Sequence, residues 1–152
     1  MGMMLLEGPY MYKKILIPTD GSKTAAAAIY HGVGLAKGLG AKVYGLYVID
    51  ISAFAGIPTE AIWESMRGLL EEEGKRALAT VEKTAKEQGI QYELLIREGI
   101  PSEDIAKVAE DEGTDLIVVG TAGRTGLNRF LLGSVAEKVI KIAPCPVMVV
   151  RK

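Results

Sequence analysis

One cysteine and one histidine in 152 residues exclude several kinds of chemistry at once. A lone Cys145 forms no internal disulfide, which suits a reducing cytosol. It lies between Pro144 and Pro146 with no identifiable histidine partner, so it reads as a packed loop residue rather than a nucleophile. His31 sits in an alanine-rich helical stretch and reads as a helix-surface residue, not a metal ligand or base. Aromatic residues make up only 6%, too few for a base-stacking platform, and a net charge of −1 provides no basic field for nucleic acid. No apolar run approaches the ~20 residues of a membrane span, so neither nucleic acid nor a membrane is an expected partner. Met1–Tyr10 has no basic n-region and only the short apolar patch Met3–Leu6. Residues 1–11 are therefore expected to be an extension before the first strand, and the protein to be cytoplasmic. Two nucleotide motifs are also missing. No G-x-x-x-x-G-K-[ST] supports a P-loop mechanism, and no G-x-G-x-x-G follows a strand, since Gly38 and Gly40 mark a helix end.

What is present is an ordinary globular composition, 49% hydrophobic and 24% charged, in a chain long enough for one domain over residues 1–152. Lys14–Ile17 is an apolar run stopped by Pro18, read as strand β1; the turn-rich Pro-Thr-Asp-Gly-Ser feeds helix α1, with Ile29, Val33, Ala36 and Leu39 on its buried side. Val43–Ile49 is β2, ending at Asp50. After the apolar connection Ile51–Pro58, residues Glu60–Gln88 read as one long helix α2 with a possible break at Gly68 or Gly74. Its stripe is Leu70, Ala77, Val81 and Ala85, and Glu71-Glu72-Glu73 forms a solvated face. Tyr92–Arg97 alternates partially, which suits an edge strand β3. Pro101 opens α3, with Glu103 and Asp104 in its first turn and Gly113 at its end. Asp115–Val119 is a fully apolar β4; α4 runs from Ser134 to before Pro144; Val147–Val150 is β5. Alternating strands and helices predict an α/β fold with a parallel sheet covered on both faces.

The chemistry concentrates in Gly120–Val135, GTAGRTGLNRFLLGSV, between β4 and α4. Gly120 and Gly123 allow close backbone approach, and Gly133-Ser134 lies at a helix N-terminus, where unpaired N–H groups favour an anion. Arg124 and Arg129 lie between them, able to reach phosphate oxygens. This pattern fits a phosphate cradle. Ser134 with Glu137 also fits a capping box, which satisfies the helix start by itself.

The Pro18-Thr19-Asp20-Gly21-Ser22 loop, the spacing Gly120-x2-Gly123-x9-Gly133-Ser134, Val48-Ile49-Asp50, Gly99-Ile100-Pro101 and Pro144-x-Pro146-Val147 together resemble the universal stress protein family, over about Tyr12–Arg151. The glycine spacing is that of the family's nucleotide-binding members. The resemblance implies an open five-stranded sheet of order 3-2-1-4-5, of the Rossmann-like, adenine nucleotide alpha hydrolase-like kind, with its switch point between β1 and β4. It implies that Gly120, Gly123, Gly133, Ser134 and Val135 hold phosphates and ribose through backbone N–H groups and the serine hydroxyl. Asp20 would face the phosphates through Mg or Mn. Pro18 and Thr19 would line the nucleoside, and Val48 would contact adenine by main chain. Thr121, Arg124 and Arg129 complete the candidate set. Local sequence alone also allows Asp20 to be a turn or cap residue of α1, and Val48 to be core.

Proteins similar to it dimerise through the terminal strand, which implies a homodimer with β5 beside its copy. The function expected first is an ATP-binding regulatory protein with slow or no hydrolysis, acting on an unknown protein partner. No general base or second acidic cluster suited to fast phosphoryl transfer is visible. A slow ATPase using Asp20 and a metal, and a dimeric interaction module that binds no nucleotide, are the alternatives. Trp63 and Met66 are placed either over the crevice or at a subunit contact.

Overall fold

The structure, a computed structural model, describes residues 12–54, 56, 59–121 and 131–151. Five parallel strands lie in the order β3-β2-β1-β4-β5: β1 is Lys14–Pro18, β2 Lys42–Asp50, β3 Tyr92–Gly99, β4 Leu116–Gly120 and β5 Val147–Val150. The crossovers contain α1 (Lys23–Leu39), α2 (Glu60–Gln88), α3 (Pro101–Glu112) and α4 (Ser134–Ile142), and a 3-10 turn spans Ile51–Phe54. The expected strand order and the edge position of β3 are both observed. No helix of the described residues is long and apolar enough to cross a membrane.

Strand alternation sorts the apolar side chains into two cores. Ile15, Ile17, Val43, Leu116 and Val118 meet α1 and α2 on one face, while Leu16, Leu46, Ile117 and Val119 meet α3 and α4 on the other. Because β1 and β4 are covered on both sides, every residue from Ile15 to Ile17 and from Leu116 to Val119 is buried, hence their unbroken apolar runs. The α1 stripe is buried through Ala36, but Leu39 is 38% exposed, because the helix ends at Gly40 just after it.

Helix α2 is continuous, so neither Gly68 nor Gly74 breaks it. Gly74 has a packing reason instead: a Cβ there would lie 2.7 Å from Cδ1 of Tyr47, so only glycine lets the helix cross β2 this closely. Burial along α2 begins at Gly74; between Glu60 and Glu73 no residue is buried, and Trp63, Met66, Arg67 and Leu70 are half-covered. This overhanging half is tied down by Arg67, whose Nε lies 2.6 Å from Glu98 Oε1 in a charge contact without hydrogen-bond alignment, and whose guanidinium sits 5.3 Å from the Trp63 ring.

Candidate functional site

The strand order reverses at β1 and β4, so the chains leaving their carboxyl ends diverge and open a crevice of about 420 Å³. That lies within the roughly 300–1,000 Å³ of small-molecule sites. Pro18, Thr19, Asp20, Val48, Gly120, Thr121, Gly133, Ser134 and Val135 all line it. Three of the sequence candidates, Gly123, Arg124 and Arg129, lie outside the described residues.

The β1 side is built by a tight turn. The Thr19 N–H donates to the Leu46 carbonyl at 2.8 Å, and Thr19 Oγ1 accepts from the Gly21 N–H at 3.1 Å. Gly21, at φ 82, turns the chain where a side chain would be strained. Asp20 Oδ1 accepts from the Ser22 N–H at 2.9 Å, and Ser22 caps α1 by accepting from Ala25 N–H at 3.2 Å. Asp20 is thus a turn residue and a crevice residue at once, and the cap of α1 is Ser22.

The β4 side is closed at its neck. The Thr121 N–H donates to the Val150 carbonyl at 3.1 Å, and the Thr121 carbonyl accepts from the Gly133 N–H at 2.6 Å. The Gly133 N–H is therefore engaged inside the protein, and a ligand phosphate would have to compete with the Thr121 carbonyl for it. Gly133 is the N-cap of α4, makes no side-chain cap bond, and places Ser134 at the first helical position. The Ser134–Glu137 capping box is accordingly not formed, because Ser134 lies one residue too far along to cap. The consequence favours a ligand: the first-turn N–H groups of Ser134, Val135 and Ala136 precede the first intrahelical bonds and sit at the positive end of the helix dipole. Gly120 also has a packing reason. A Cβ on it would meet the Thr24 carbonyl oxygen at 2.7 Å, so glycine lets β4 end directly against α1.

The β2 side is apolar with a polar edge. In a parallel ladder, alternate residues direct both main-chain groups to the same neighbour. The Leu46 carbonyl faces β1, and Pro18 opposite Leu46 is the last β1 partner. Val48, two residues further, turns its N–H and C=O to the same side beyond the end of β1, into the crevice. Leu46, Val48 and Asp50 share one face of β2 and line the crevice with Pro101 and Ile105 of α3, while Leu70 of α2 joins the lining from the core on the other face of the sheet. Sequence reasoning picked out Val48 but not its period-two neighbours Leu46 and Asp50, nor the Pro101/Ile105 pair one helical turn apart. Both patterns were available in the sequence. Leu70 was legible only as part of the apolar stripe of α2, not as a crevice residue. Trp63 does not line the crevice; it belongs to a separate hollow with Ile51, Arg67 and Glu98.

Charge at the site has one sign: Asp20 and Asp50 are the charged residues of the described lining, and both are carboxylates. No group of three or more histidine, cysteine or acidic side chains among the described residues forms a metal cage.

A crevice at the switch point of an open parallel sheet, with apolar wall, turn and helix N-terminus converging on it, defines a doubly wound α/β protein with a candidate ligand site. Comparison with known proteins narrows the class. A model of the universal stress protein family matches residues 11–151, and the chain belongs to that family. It is 50% identical to a universal stress protein of Methanocaldococcus jannaschii over 149 residues, covering 98% of this chain and 88% of that one. A solved structure of another universal stress protein of the same organism superposes with a TM-score of 0.81 at 40% identity, covering 93% of this chain and 97% of that one. The structure of the universal stress protein of Archaeoglobus fulgidus in complex with dAMP superposes with a TM-score of 0.67 at 25% identity, covering 91% and 98%.

Proposed function

We propose that the protein binds an adenine nucleotide with a divalent cation in the β1/β4 crevice and works as a regulatory protein with slow or no hydrolysis. The observation that carries this reading is convergence. All nine described candidate residues, drawn from three separate stretches, line one crevice of nucleotide size. A relative solved with dAMP supports the choice of an adenine nucleotide.

In this reading the phosphates sit on the first-turn N–H groups of α4 with the Ser134 hydroxyl, and Arg124 and Arg129 of the sequence supply positive charge for them. The base lies on the apolar β2 side with its polar edge at the Val48 main chain. Asp20 is the carboxylate for Mg or Mn. A hard cation takes six or more oxygen ligands, and Asp20 is one carboxylate, so phosphate oxygens and water must complete the shell. The residues therefore fit a cation that arrives with the nucleotide better than one resident in its absence. The proposed homodimer places β5 beside its copy.

The test is mass spectrometry of the denatured extract of freshly purified protein, with thermal melts in millimolar Mg-ATP. Stoichiometric ATP, or a clear rise in melting temperature, is expected. Co-purified ADP would move the reading towards a slow ATPase. An empty protein whose melting temperature ignores every nucleotide would sink it.

A further inference from the structure

Asp50 is a charged residue at the crevice that the reading above leaves unused. It lies next outward from Val48 on the same face of β2, at the apolar end where Pro101 and Ile105 form the opposite wall. Its carboxylate is held in place: Oδ1 accepts from the Ser52 N–H at 3.0 Å and from Ser52 Oγ at 2.5 Å. Both bonds end on Oδ1, so Oδ2 keeps its acceptor capacity. A half-buried carboxylate at the rim of an apolar slot, once an occupant displaces the water around it, is best satisfied by a donor on that occupant.

We propose that the Asp50 carboxylate reads the 6-amino group of the base and selects 6-aminopurine over 6-oxopurine nucleotides. The inference rests on the nucleotide reading above. With phosphates at the start of α4, the base extends towards β2, where the Val48 N–H and C=O form one donor and one acceptor. A 6-aminopurine offers the matching pair, its N1 accepting from Val48 N–H and its amino group donating to Val48 C=O. The amino group has a second hydrogen, and Asp50, two residues beyond Val48, supplies the acceptor for it. A 6-oxopurine instead turns its oxygen towards a carbonyl and a carboxylate, leaving three acceptors together without a donor.

Titration calorimetry with Mg-ATP and Mg-ITP, which share sugar and phosphates, tests this. The native protein is expected to bind ATP roughly ten- to a hundred-fold more tightly than ITP. Asp50→Ala is expected to weaken ATP while sparing ITP, lowering that ratio by about ten-fold. Asp50→Asn keeps the shape and the Ser52 bonds but adds a donor for the 6-oxo group, so its ITP binding should strengthen. Circular dichroism and the melting temperature show that each variant is folded, and the near-isosteric Asn carries the test should Ala not be. Equal native affinities, or a native ATP/ITP ratio in both variants, would overturn the role of Asp50 and leave nucleotide binding standing. Binding of neither nucleotide by the native protein would overturn both.

Discussion

Gly120 and Gly32 look alike in the sequence, yet their neighbours differ. A Cβ on Gly120 meets the Thr24 backbone, at 2.7 Å from its oxygen and 2.8 Å from its carbonyl carbon, whereas one on Gly32 meets the movable end of Ile17 at 2.5 Å. Backbone cannot rotate away, so Gly120→Ala should cost about 1–3 kcal/mol in urea melts. Gly32→Ala, in a helix where alanine regains ~0.5–1 kcal/mol of propensity, should cost clearly less. Asp104 makes a pH-dependent prediction. Burial, then the charge of Glu103, raise its carboxyl above the ordinary carboxylate value, with Lys107 and Arg97 opposing. Its ionised form is thus disfavoured in the fold. The contribution of this group is fully favourable below the unfolded value of about 3.9 and is lost as pH rises through the higher folded value. Melts of Asp104→Asn and the native protein at several pH values should therefore show the variant gaining relative stability as pH rises through that range. Cys145 is raised likewise, first by burial and then by Asp115, which agrees with a packed thiol rather than a nucleophile.

Among the elements, the caps explain both what was legible and what was not. The start of α3 at Pro101, the ends at Gly40 and Gly113, and the buried runs of β1 and β4 follow from local chemistry that sequence carries directly. The cap of α4 did not, because Ser134-x-x-Glu137 has the right letters one position out of place, and the choice was made by a long-range bond from Gly133 to Thr121. Gly74 misled for a related reason: its purpose is set by the ring of Tyr47, a residue on another element. The site was legible as loops and glycines, while the apolar stripe of α2 announced Leu70 as an inward-facing residue but not its place at the crevice. Ser22 is the true cap of α1 and also lines the crevice. Ser22→Ala should lower stability by about 0.5–2 kcal/mol in chemical denaturation.

For the molecule as a whole, β5 is the edge strand of the proposed dimer, and its ladder offers a test of that contact. The carbonyls of Pro146 and Val150 accept from Ile117 and Thr121, so the main-chain groups of Val147 and Val149, which alternate with them, face away from β4. Val149→Pro removes an outward N–H and spares the β4 ladder, a tolerated place for proline on an edge strand. Sedimentation equilibrium should find a native dimer and a folded monomeric variant; a monomeric native protein would remove the β5 contact from consideration. The overhanging half of α2 has a different consequence. It contributes Leu70 to the crevice lining while burying no residue of its own before Gly74. Lifting it forfeits far less apolar burial than opening the sheet, so such fluctuations belong to the low-energy end of local opening. Two rates of opening are therefore expected, a slow one set by the core and a faster one for the first half of α2, whose amides should exchange with solvent sooner than those of β1 and β4.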